Sequence, residues 1–172
     1  GVPSGNIGLT STGGAITVNA NLSTGTATVA DAGAGETAVS GGITVSAATS
    51  VTGSGQISTG NAAISGATQT GVDSATSGNI SVTAGTGGAS GGIGLSNASA
   101  LVIGTASRTT ATTTDTATAG SITLSSRDEI NNGTGGNALA LTIGAANAGS
   151  TTQGSLFITT SQAGGNVFIT SP

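Results

Sequence analysis

One short pattern recurs along the whole chain: an aliphatic residue, a small residue and another aliphatic, set beside Gly, Asn, Ser or Thr. The copies are Ile7-Gly8-Leu9, Ile16-Thr17-Val18, Ile43-Thr44-Val45, Ile80-Ser81-Val82, Ile93-Gly94-Leu95, Ile122-Thr123-Leu124, Leu141-Thr142-Ile143, Leu156-Phe157-Ile158 and Val167-Phe168-Ile169. Along a strand successive side chains alternate faces, so each triplet sends its outer pair one way and its middle residue the other. A lone triplet buries almost nothing. Stacked in register, triplets form continuous apolar columns inside a coil of strands, which is how repeat architectures acquire a core.

The 35% hydrophobic fraction is nearly all Ala, Val, Ile and Leu, with Phe157 and Phe168 the only aromatics. Such small side chains suit a narrow, regular interior better than a conventional two-layer core. Charged residues are 5% of the chain, against about 25% in ordinary globular domains. Disordered chains are rich in charge and Pro. The two prolines here, Pro3 and Pro172, lie at the extremes, so low complexity reads as repetition rather than disorder.

Strand signals near residues 7, 27, 43, 64, 80, 102, 122, 141 and 157 recur at intervals of about 19 residues, and a second column holds Ile16, Val51, Ile93, Ile130 and Val167. That period predicts an all-β fold: a right-handed parallel β-helix of about 8–9 rungs spanning residues 1–172, roughly 40 Å long at ~4.8 Å per rung. The alternative is a β-sandwich of short antiparallel strands, which normally carries buried aromatics that this chain lacks. Residues 107–119 hold no aliphatic larger than Ala, which predicts a Thr-rich loop, with shorter bulges at 74–78 and 85–92. Asn6, Asn79 and Asn166 precede triplets in matching positions and are expected to hydrogen-bond from rung to rung.

The cadence of Gly5-Asn6-Ile7-Gly8-Leu9, Gly14-Ala15-Ile16-Thr17-Val18-Asn19-Ala20-Asn21-Leu22, Gly78-Asn79-Ile80-Ser81-Val82-Thr83-Ala84 and Ala119-Gly120-Ser121-Ile122-Thr123-Leu124 resembles the repeats of filamentous-haemagglutinin-like exoproteins of bacterial two-partner secretion. The resemblance covers nearly the whole chain and implies a long extracellular β-helical fibre at a bacterial surface, often adhesive. The amino-terminal secretion domain and the adhesive modules of that family have no counterpart here.

Chemistry has few candidates. Six carboxylates, two arginines and no His, Lys or Cys provide almost nothing for general acid-base or nucleophilic catalysis, so the expectation is no enzyme and no cofactor. Two Arg against six acids give no footprint for nucleic acid. No apolar run is long enough to form a transmembrane segment. Asp128, Glu129, Asn131 and Asn132 offer oxygen ligands for weak Ca²⁺ binding, against a plain solvated corner. In the last two triplets Phe157 and Phe168 take the outward position, which marks them as candidate assembly contacts, unless an irregular last coil buries both.

Neither end of the chain shows a capping helix or a charged terminal repeat, so the open strand edges are expected to meet neighbouring repeats or identical subunits, giving self-association into a filament. A second expectation is a module of a secreted adhesin that binds cell-surface glycan through the loop residues Thr109, Thr110, Thr112, Thr113, Thr114, Asp115 and Thr116.

Overall fold

The computed structural model describes residues 3–30, 35–66, 71–88, 90–96, 100–110, 112, 114–130, 139–163, 165–167 and 169–170. The first coil holds β1 (Ile7–Ser11), β2 (Ile16–Val18), β3 (Leu22–Ser23) and β4 (Ala27–Ala30). The second holds β5 (Thr37–Val39), β6 (Ile43–Ala47), β7 (Val51–Gly53), β8 (Ile57–Ser58) and β9 (Ala62–Ser65). The third holds β10 (Ser74–Thr76), β11 (Ile80–Ala84), β12 (Ile93–Leu95), β13 (Ala100–Ile103) and β14 (Ala106–Arg108). The fourth holds β15 (Thr116–Thr118), β16 (Ile122–Ser126), β17 (Leu139–Ile143) and β18 (Ala146–Asn147). The last holds β19 (Ser150–Thr152), β20 (Leu156–Thr160) and β21 (Ile169–Thr170).

These strands stack into five sheets, named here in the order the chain visits them: A (β1-β6-β11-β16-β20), B (β2-β7-β12), C (β3-β8-β13-β17-β21), D (β4-β9-β14-β18) and E (β5-β10-β15-β19). Among the described residues all pairing between strands is parallel, so the chain is a parallel β-solenoid and the antiparallel sandwich is excluded. Isolated bridges from Ile93 to Ile130 and from Ile130 to Val167 carry the column of sheet B through the last two coils.

The coil is twice as long as the triplet spacing predicts. Ile7 pairs with Ile43, Ile43 with Ile80, Ile80 with Ile122 and Ile122 with Leu156, so the chain returns to sheet A only once per full turn. The strand signals spaced about 19 residues apart fall alternately on sheet A and on the opposite wall formed by C and D, two sides of one turn rather than two rungs. Five levels replace eight or nine, and the stack is roughly 20 Å tall at ~4.8 Å per level.

The cross-section has two parts. Sheets A, B and C enclose a wide lobe filled by Val45, Val51, Ile57, Ile80, Val82, Leu101, Ile122, Leu124 and their neighbours. Sheets D and E lie against each other over a seam made almost wholly of alanine: Ala27, Ala62, Ala106 and Ala146 from D face Ala38, Ala75 and Ala117 from E, with Ile64 among them. Between the lobes the chain turns twice, once from C to D and once from E to A, and both corners are glycine stacks. A Cβ on Gly41, Gly78, Gly120 or Gly154 would fall inside the carbonyl of the glycine one level below: Gly5, Gly41, Gly78 and Gly120 in turn.

Hydroxyls secure these corners, half-buried at Ser4 and buried at the other positions. Ser4 Oγ accepts from Gly41 N–H, Ser40 Oγ from Gly78 N–H and Ser77 Oγ from Gly120 N–H, at 2.6, 2.9 and 2.9 Å. On the other corner Thr24 and Thr59 accept from Gly60 and Gly104 N–H, each at 3.0 Å. Thr24 Oγ1 also donates to Gly41 O at 2.8 Å, tying one corner to the other across the waist.

The asparagine expectation changes in kind. Asn6 Oδ1 accepts from Gly42 N–H at 2.8 Å and Asn79 Oδ1 from Ser121 N–H at 2.7 Å, so the amides cap the backbone of the next coil instead of pairing with one another. Asn166 precedes Val167 in the column of sheet B and belongs to a different corner.

Candidate functional site

The predicted loop 107–119 is shorter than its composition suggests. Ser107 and Arg108 lie in β14, and Thr116, Ala117 and Thr118 form β15, where Ala117 fills the seam; the same holds for Ser74–Thr76, a strand and not a bulge. Of the candidate recognition residues, Thr109, Thr110 and Thr114 are exposed, Thr112 is half-buried, Thr116 sits on the outer face of β15 and Asp115 is wholly buried. Thr113 lies outside the described residues.

Asp115 belongs to a polar column that sequence reasoning missed. At the turn from D to E, Asp73 Oδ1 accepts from Glu36 N–H at 2.8 Å and Asp115 Oδ1 accepts from Asp73 N–H at 3.1 Å, each acid holding the backbone of the coil before it. The buried Arg108 donates through Nε to Asp73 Oδ2, stands 3.8 Å from Asp115 Oδ2, and donates through its Nη1 to the carbonyls of Thr109 and Gly66. Burial pushes the Asp115 carboxyl up, but hydrogen bonds from Thr112 and Asp73 and the nearby guanidinium outweigh it and hold Asp115 below the ordinary carboxylate value. Two carboxylates and a cation sealed from solvent hold a turn together. They present no reactive atom to a substrate.

The segment Arg127–Glu129 forms the turn from A to B. Arg127 is exposed and donates to the Gly88 carbonyl, while Asp128 and Glu129 line a hollow of about 360 Å³ with Gly92, Gln162, Ala163 and Gly165. Asn131 and Asn132 lie outside the described residues, and among those described no three His, Cys, Asp or Glu side chains come together as metal ligands. A second groove, of about 480 Å³, runs along the outside of the E-to-A corner between Val39 and Thr76 on one wall and Thr44 and Ser81 on the other. Its described lining, which includes Gly42 and Gly78, carries no charged side chain.

The last coil differs from the coils below it. Phe157 follows Gly8, Thr44, Ser81 and Thr123 in the outward column of sheet A and is 56% exposed. Leu156 and Val167, which extend buried columns, are each 43% exposed because no coil covers them among the described residues. Phe168 lies outside the described residues. No described helix is long and apolar enough to cross a membrane. No family model matches the chain, and neither the curated proteins nor the solved structures contain a significant match to it.

Proposed function

We propose that the chain is a non-enzymatic structural rod, a β-solenoid subunit or segment of an extracellular fibre at a bacterial surface that assembles end to end. The observation that carries this reading is the parallel stacking itself: β1 and β20, the outermost strands of sheet A, each have one edge unpaired among the described residues, and Leu156 and Val167 on the last coil are partly open to solvent. Unpaired parallel edges invite a further strand, and a contact that does not close on itself propagates as a filament. Low charge leaves little repulsion along the axis. The extracellular location rests on the resemblance of the triplet cadence to filamentous-haemagglutinin-like exoproteins. Negative-stain microscopy of the purified chain is expected to show rods longer than one molecule; a monodisperse monomer at high concentration contradicts the filament.

Glycan adhesion is the second reading, supported by the exposed hydroxyls of Thr109, Thr110 and Thr114 on a turn that Arg108 and Asp115 hold from beneath. Replacing these three threonines with alanine spares the buried column, so glycan-array binding lost without a change in melting temperature would favour it.

A further inference from the structure

Among the described residues, nothing packed against Gly5 requires a glycine there. Each later member of its stack, Gly41, Gly78, Gly120 and Gly154, has no room for a Cβ because the preceding glycine's carbonyl occupies that place. At Gly5 a Cβ would meet no described residue within 4 Å, and its φ is not in the left-handed region. The local backbone therefore accepts any residue. The sequence nevertheless keeps glycine there, as it does at every level where a coil lies beneath.

Resting on the end-to-end reading above, we propose that the surface under β1 is the docking site for the last coil of a second copy of this chain, with β20 of that copy paired in parallel to β1. Three features fix the register. The run Gly154-Ser155-Leu156-Phe157-Ile158-Thr159-Thr160 matches Gly5-Asn6-Ile7-Gly8-Leu9-Thr10-Ser11 position by position, so Leu156 continues the column of Ile7 and Ile158 that of Leu9. Gly5 then sits over the carbonyl of the other copy's Gly154, the relation that excludes a Cβ at the four levels above.

Phe157, the bulkiest outward residue of sheet A, comes to lie beside Gly8, the one position of that column with no side chain and with no described residue within 4 Å of where one would stand. An aromatic ring covering a glycine on a neighbouring strand shields exposed backbone and pins the register. On sheet B, Val167 meets Ile16. The last described strand of sheet D is β18, one level short of this surface, so sheet D takes no part.

The test uses sedimentation velocity on the 172-residue chain across a hundredfold range of concentration. The wild type is expected to form a concentration-dependent series of oligomers. Gly5→Leu should keep the wild-type melting temperature and remain monomeric, whereas Gly41→Leu, the same change with a coil beneath it, should not fold. Because the chain contains no cysteine, Thr10→Cys combined with Thr159→Cys reports the register directly: neighbouring outward positions should give a disulfide-linked ladder on a non-reducing gel, with dimers at most from either single variant. If Gly5→Leu associates as the wild type does, or the ladder fails to form in an associating protein, this register is wrong while end-to-end assembly stands. A loss of melting temperature in Gly5→Leu also overturns it, since the glycine would then serve the chain itself. A wild type that stays monomeric throughout removes both the register and the fibre.

Discussion

The wide lobe and the narrow seam solve the same problem with different side chains. In the lobe, three sheets stand far enough apart for Ile, Val and Leu, and stability comes from apolar area removed from water, about 25 cal/mol per Å². In the seam, two sheets approach closely enough that alanine fills nearly every inward position, Ile64 excepted, so most residues bury little and contact between backbones dominates. The glycine corners make the difference possible, because the chain can turn sharply between lobes only where no Cβ blocks the level below. One region is held by volume and the other by the absence of volume. They should therefore fail in opposite directions when side chains change size.

The largest effect is expected at the corner that separates them. Gly78→Val drives a branched side chain into the Gly41 carbonyl, backbone that cannot yield, and should cost more than ~5 kcal/mol, read as loss of the cooperative urea transition. Next come the opposed size changes. Ile80→Ala empties part of the lobe and should cost about 2–5 kcal/mol. Ala75→Leu overfills the seam and should cost about 1–3 kcal/mol in the same assay. A stabilised Ala75→Leu would show that the seam has spare room and end the contrast.

Ser77→Ala strips the Gly120 N–H of its acceptor and should cost about 1–3 kcal/mol, the desolvation penalty of a buried donor. The smallest effect is conditional on pH. Asp115 titrates below its ordinary value in the folded chain, so its contribution is present above that ordinary value and is lost as pH falls through the lower folded one. Hydrogen exchange should then show the amides of Ala75 and Ala117 losing protection before that of Val82 on acidification. Simultaneous loss would mean the acidic column does not stabilise the seam selectively.

The sequence made the parallel stack legible because triplets report which faces are buried. It misreported the length of a turn because chemically similar triplets occur on both sides of one coil: Leu101 and Leu141 look like Ile80 and Ile122 but belong to the opposite wall. The column Ile16, Val51, Ile93, Ile130 and Val167 reads correctly from sequence, since sheet B has no look-alike across the coil.

The seam strands 74–76 and 116–118 were hidden because an inward alanine between hydroxyls has the composition of a loop. The Arg108, Asp73 and Asp115 cluster was hidden by the same error of period. Asp115 follows Asp73 at the same offset by which Ile122 follows Ile80, and Asp73 follows Glu36 at the offset by which Ile80 follows Ile43. With the true coil length those offsets place the three acids in one column.

The length of the coil is the claim on which both lobes, the corners and the docking register depend, and methyl NOEs test it most directly. In a sample labelled at isoleucine methyls, cross-peaks are expected between Ile43 and Ile80 and between Ile80 and Ile122, neighbours on sheet A, and none between Ile43 and Ile64, which belong to separate lobes. Strong Ile43–Ile64 contacts without Ile43–Ile80 contacts would restore a turn of about half this length and contradict the two-lobed solenoid.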